Sequence, residues 1–292
     1  MRLRFVEDRR TLFWAFVLFP LVPALALARP ALLPWLVAPA LYLSYCSGVL
    51  AHNHNHCPVF RGRRSNLYYG AWLSVFYGTP LCAWVPTHNQ NHHHYLNGEG
   101  DVTQTTRRGT KDTLLSALKY PLWSARSQLP LLAAYVKEAF AAARSGRPAR
   151  RRRLVTELCA LGFAHFTVLG LGVTLHGARV GVLVYLASAG LPALLAPSLM
   201  MFTNYLQHAG CDPSSPDDHS RNFTSKVMNW FVFENGLHTV HHEQPGAHWS
   251  RLRALHEARA HRIRPALNQE NLFGYVVWTY LATPFARRGR AP

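Results

Sequence analysis

The chain has 292 residues, 31 Lys+Arg against 14 Asp+Glu for a net charge of +17, 17 His, 49% hydrophobic and only 15% charged residues. An ordinary soluble domain carries about 25% charged residues, and a disordered basic chain would not hold so much apolar material. Five Cys, an odd number with no CxxC pair, exclude a disulfide scaffold, and a mean hydropathy of −0.03 excludes a chain that is membrane throughout.

Taken in chain order, residues 11–28 are the first uncharged run, and residues 30–51 the second. The start also has the form of a signal peptide, basic and then apolar up to ALALARPA. Glu7 and Asp8 before the core, the length of that core and a second apolar run close behind it argue against that reading. After a long polar middle, residues 154–175 carry one acid, Glu157, and are otherwise apolar apart from His165, and Val180–Gln207 holds no Asp, Glu, Lys or Arg. A membrane span needs about 20 apolar residues. The pattern therefore predicts four spans, at about 11–28, 32–51, 155–175 and 180–201, paired as two hairpins. The run from 180 is 28 residues long, about 42 Å of helix, so it leaves the membrane at the end that carries NYLQH (204–208).

Lys and Arg concentrate on the cytoplasmic side of membrane proteins. Only Arg29 and Arg179 fall in the two tight connections, and the other 29 of 31 cations lie in the N-terminus, the middle segment and the C-terminus. Both termini and the middle are thus expected in the cytoplasm. RSGRPARRRR (144–153) reads as a topological anchor; it lacks the interleaved aromatics of a nucleic-acid surface. The uncharged stretch 67–86 is long enough to span, but Arg61, Arg63 and Arg64 precede it and Arg107, Arg108 and Lys111 follow it. It is read as interfacial or re-entrant, broken by Gly70, Gly78 and Pro80. Residues 114–142 read as an amphipathic helix in the interface.

Histidine is clustered: HNHNH (52–56), HNQNHHH (88–94), His208 ending NYLQH, and HTVHH (238–242). On the expected topology all four groups emerge on one face. Positions i and i+4, or i+3, share a helix face, which pairs His52 with His56, His88 with His92, and His238 with His241 and His242. Neutral imidazole is a ligand for Zn, Fe, Cu and Ni. Two metals need about nine such groups, and the best-spaced set is His52, His56, His88, His92, His93, His208, His238, His241 and His242. His54 and His94 fall off those faces and are read as second-layer or surface groups. His165 and His176 are read as structural, and His219, His248, His256 and His261 as surface or substrate-side groups. There is no HExxH, no Glu-x-x-His, no GxGxxG, no P-loop and no GxSxG. A metal transporter or sensor would place its ligands at mid-membrane depth, whereas these clusters sit at span ends.

Together the motifs resemble the integral-membrane fatty acid desaturase family and its hydroxylase relatives. HNHNH is similar to that family's first histidine box, HNQNHH with Asn97 and Asp101 to the second, NYLQH to an Asn-x3-His element, and ENGLHTVHHEQP (234–245) to the third. The second box is H-x3-HH where H-x2-HH is commoner, and the first has an extra central His. The resemblance covers about residues 35–260. It implies an all-α integral-membrane fold: four transmembrane helices in two hairpins, interfacial helices, and a cytoplasmic helical cap (52–153 and 202–292) carrying a di-iron site, all as one domain over 1–292. It implies the nine histidines as iron ligands, Asn204 beside the metal, and O2 as co-substrate. The implied reaction is desaturation of a fatty acyl chain linked to lipid, CoA or acyl carrier protein; the alternative is hydroxylation, ketolation or acetylene formation on a lipid, carotenoid or alkyl compound. No fused electron-transfer segment is present, so a separate donor such as a ferredoxin or cytochrome b5-like protein is expected, together with membrane lipid and no nucleic acid.

Overall fold

A computed structural model describes residues 2–282 apart from 108, 110 and 111. Arg108 and Lys111, invoked above as flanking cations, lie outside the described residues, as does the basic stretch from 283. The described chain is mostly helical. Two short strands, β1 (Asn222–Phe223) and β2 (Asn268–Gln269), pair in parallel with Asn222 opposite Asn268. The contacts divide the chain into two compact units, each assembled from two separated stretches: residues 2–89 with 129–200, and residues 90–128 with 201–282.

Three helical runs are long and apolar enough to cross a membrane: α1 (Asp8–Ala28), α2 (Pro30–His56) and a run from Ala149 to His208. The sequence pattern gave four spans, and its last two fall inside the third run. That run contains α5 (Ala149–Tyr185) and α6 (Leu191–His208), joined by π-helical Leu186–Gly190. Within α5, Gly177 has φ 77° and ψ 165°, a conformation that only glycine adopts readily. A Cβ on Gly181 would stand 2.3 Å from the carbonyl carbon of Gly172. Nine residues of unbroken helix would separate those positions by about 13.5 Å. The run therefore doubles back at Gly177, where the sequence placed the connection of the second hairpin.

In the first unit, α3 (Arg63–Tyr77) packs among the long helices. The Trp72 indole N–H donates to the Ala15 carbonyl at 2.7 Å, and the Ser47 hydroxyl to the Leu73 carbonyl at 2.9 Å. Gly48 gives the Tyr77 ring its place, since a Cβ there would lie 2.6 Å from it. Gly70, expected to break this stretch, sits inside α3; the break comes at Gly78, whose φ of 81° ends the helix. Glu157, the one acid of the third apolar run, is fully buried. Its carboxylate accepts from Arg153 at 2.8 Å and from the Cys82 backbone N–H at 2.7 Å, so the charge is paired rather than exposed to an apolar medium. Large apolar side chains point outward: Trp35 is 78% exposed, and Phe163 and Phe166 are each 76% exposed.

The second unit contains the first half of α4 (Leu114–Arg144), longer at its end than the expected 114–142. Ala117 and Tyr120 of α4 join Tyr205, Leu206, Ala209, Phe223 and Tyr280 in one apolar cluster. A smaller cluster of Leu237, Val240 and Leu252 seats α8 (His238–Glu243) on α9 (Leu252–Arg259), after α7 (Lys226–Phe231) has been N-capped by Ser225.

Candidate metal centre

In the first unit, His52 and His56 occupy successive turns at the end of α2, and their ring centroids are 4.9 Å apart. The sequence spacing required this. His88 reaches the same pair: its Nε2 is 2.9 Å from the His52 Nε2, and its ring is 5.1 Å from that of His56. The chain between them thus leaves and returns to one place. Trp84 stands against His52 and His88 at 5.4 Å and 5.1 Å, an apolar wall beside three imidazoles.

In the second unit, His92, His208, His238 and His242 converge. All four are buried, and one ligand nitrogen from each lies within 4.8 Å of the others. The Nε2 atoms of His208 and His238 are 2.9 Å apart, those of His242 and His238 3.0 Å, and those of His242 and His208 3.2 Å. His93 and His241 form a further pair in this unit, Nε2 to Nε2 at 3.1 Å.

The pairing of His88 with His92 on one helix face does not hold. Val85–His92 is π-helical, so its winding departs from the 3.6-residue period behind the i,i+4 rule. His88 joins His52 and His56, while His92 joins the second unit's quartet. His238 and His241 separate likewise, since His241 turns to His93 and only His242 stays with His238.

The outer edges of the quartet fix how its nitrogens are used. His92 Nδ1 lies 2.7 Å from a carboxylate oxygen of Asp101, and His208 Nδ1 lies 3.2 Å from the His219 carbonyl. Both partners accept, so each Nδ1 carries the hydrogen and each Nε2 presents a lone pair inward. Lone pairs packed this closely repel unless a cation lies among them. Four neutral imidazoles with no carboxylate form a donor set for a first-row divalent metal. Burial, with His238, His93, His92 and His208 beside it, holds the His242 pKa well below the ordinary histidine value, so this ring stays in the ligating neutral form.

Asp101 is the residue whose role the sequence left unassigned. Burial would raise its pKa, but the His92 ring beside it and hydrogen bonds from Thr103 outweigh that and hold the carboxyl below the usual range. The Thr103 hydroxyl donates to Asp101 at 2.7 Å, and the Asn97 backbone N–H donates to the other carboxylate oxygen at 2.8 Å. Asn204 stands further along the same network: its amide donates to the Tyr120 phenol at 2.8 Å, and that phenol donates to the Thr103 carbonyl. Asn97 and Asp101, quoted in the sequence as part of the second box, thus brace the quartet from outside.

The remaining histidines divide. His94 and His261 are exposed. His54 is buried and takes a structural place, its rings' nitrogens meeting the Asn66 carbonyl and the Val59 backbone N–H. His219, His248 and His256, read as surface or substrate-side groups, are buried at 3%, 2% and 4% exposure, which removes the surface alternative for these three. His176 meets the Leu27 carbonyl at 2.7 Å, a structural use as expected.

A family model described as fatty acid desaturase matches residues 10–272. No curated protein and no solved structure matches the chain.

Proposed function

The chain belongs to the fatty acid desaturase family, and on that premise we propose that it is a membrane-bound, O2-dependent di-iron desaturase that introduces a C=C bond into a fatty acyl chain. The observation that carries this reading is the buried quartet His92, His208, His238 and His242, with the His92 and His208 lone pairs turned inward by Asp101 and the His219 carbonyl. The quartet would hold one iron. His52, His56 and His88 are a second imidazole cluster, and His93 with His241 make up the nine donors.

Iron bound there would activate O2 and supply the oxidant that an unactivated methylene requires. The balanced change removes one hydrogen from each of two adjacent carbons. It reduces O2 to two waters with two further electrons and two protons, the electrons coming from a separate ferredoxin or cytochrome b5-like donor. The protein's part is positional. Asp101 and Thr103 hold the His92 ring, the His219 carbonyl holds the His208 ring, and Trp84 lines the first cluster with an apolar surface that excludes water.

We further read α1, α2 and the two arms that meet at Gly177 as four membrane spans. The reversal at Gly177 and the outward Trp35, Phe163 and Phe166 support this, and the Lys/Arg distribution supports a cytoplasmic side for both termini and the histidines. The cationic cytoplasmic side suits an acyl chain linked to lipid, CoA or acyl carrier protein, and an acidic electron donor.

The test is lipid analysis of a host expressing the chain, by gas chromatography with mass detection, alongside His92→Ala. New unsaturated acyl chains that vanish in the variant together with bound iron are the expected result. A hydroxylated product would move the assignment to the hydroxylase branch of the superfamily. Unchanged product from the variant would remove the quartet from the chemistry.

A further inference from the structure

His165 is used by none of this. It lies midway along the third expected span and lines a cavity of about 330 Å3 in the first unit. An ionisable side chain at that depth is a functional-site candidate with an identifiable partner. One ring nitrogen, Nε2, is 3.0 Å from the Val75 carbonyl in the last turn of α3, and the other, Nδ1, is 3.2 Å from the Tyr185 hydroxyl.

With the imidazole neutral, these two bonds have one consistent direction. The Val75 carbonyl can only accept, so Nε2 carries the hydrogen and Nδ1 is the lone pair. Tyr185 must then donate its O–H to Nδ1. The phenol oxygen keeps its own lone pairs, and Tyr185 lines the same cavity. The cavity therefore offers an acceptor, held in place by a half-buried relay that ends on backbone.

The space exists because side chains are missing from its wall. Gly78, Gly162 and Gly190 all line it. A Cβ on Gly190 would stand 2.8 Å from the Tyr185 ring, so the ring can lie where it does only over a glycine. A Cβ on Gly162 would meet no atom within 4 Å. The other lining groups are apolar, and two of them, Phe166 and Leu194, are 76% and 69% exposed on the outer surface. On the membrane reading above, on which this inference rests, that opening faces lipid.

We propose that this cavity is a binding site for a hydroxyl-bearing membrane lipid, a long-chain alcohol or a sterol, whose hydroxyl donates to the Tyr185 phenol oxygen while its hydrocarbon lies against Phe166 and Leu194. A carboxylate or a carbonyl group would only accept and would leave the Tyr185 lone pairs unmatched. A purely structural His165–Tyr185 pair accounts for the two bonds and leaves the glycine-lined space without a use.

The test is photolabelling of the full chain in phosphatidylcholine nanodiscs with diazirine forms of hexadecanol and of cholesterol, and with the methyl ether of each. Labelled residues are mapped by mass spectrometry. The alcohol should label 161–169 and 190–194 saturably and about three- to tenfold more than its ether, the range of one neutral hydrogen bond. Whichever alcohol saturates identifies the source. Tyr185→Phe should level alcohol and ether, and Gly162→Leu should abolish saturable labelling while leaving metal content unchanged. Equal labelling by alcohol and ether in the unmodified chain, or a preference that survives Tyr185→Phe, would overturn the proposal. The readout is binding without turnover, so it stands apart from the desaturase assignment.

Discussion

His92 and Asp101 meet Nδ1 to carboxylate oxygen at 2.7 Å, with both side chains out of solvent. A carboxylate behind a ligating imidazole fixes its tautomer and raises its basicity, and loss of such a partner typically costs 10–100-fold in metal affinity. Asp101→Asn keeps the shape and removes the charge. Iron affinity of that variant, measured by competition with a chelator, should fall by about 10- to 100-fold while its helical content stays that of the unmodified chain.

The same network continues farther from His92. Asn204 donates to Tyr120, and Tyr120 to the Thr103 carbonyl. Tyr120→Phe breaks both bonds without altering the ring's packing in its apolar cluster. It should lower metal affinity less than Asp101→Asn does, and the chelator titration orders the two. An effect of Tyr120→Phe equal to that of Asp101→Asn would mean that Asn204 and Tyr120 act at the metal itself rather than through Thr103.

Gly177 carries the reversal between the two arms of α5. Alanine there has open space around it, since nothing lies within 4 Å of its Cβ position, but φ is +77°. The strain of such a backbone is about 1–3 kcal/mol. Gly177→Ala should lower the thermal unfolding midpoint in detergent, whereas Gly170→Ala, equally open but at ordinary helical φ, should not. Gly181→Ala should be worse than either, because its Cβ would overlap the Gly172 backbone.

The pH dependence follows from His242. Its pKa is lowered in the folded chain by burial and by the imidazoles beside it, so the unfolded chain, with a histidine pKa of about 6.5, binds the proton first. Stability without metal is then fully present above that value and is lost as pH falls below it. Bound metal competes with the same proton, so iron should be released over the same acid range. Unfolding midpoints across a pH series, with and without iron, should show the metal-free chain falling first.

Much of the site was legible because imidazole clusters announce themselves. His52 and His56, four apart on an ordinary α-helix, are together as spacing alone requires, and His208 joins His238 and His242 as their common chemistry suggests. His88 and His92 read as a pair because nothing in VPTHNQNH signals a π-helix, and the 3.6-residue rule fails there. Asp101 was visible as a residue but not as a partner, since its role depends on a fold-back from 92 to 101 that carries no periodicity. Gly70 reads as a breaker because a glycine in an apolar stretch signals a turn; in place it leaves room for Leu81, whose side chain would lie 3.2 Å from an added Cβ. For His219, His248 and His256 the sequence leaves surface and substrate-side places open, and tertiary packing, which carries no sequence period, buries all three.

The most direct measurement is the product formed by the purified, iron-loaded chain in membranes with O2, a reduced ferredoxin and a saturated acyl substrate. An acyl chain that has lost two hydrogens, formed only when iron, O2 and reductant are all present and absent with His92→Ala, is the predicted result. Consumption of neither O2 nor substrate by chains with a full complement of iron would contradict it.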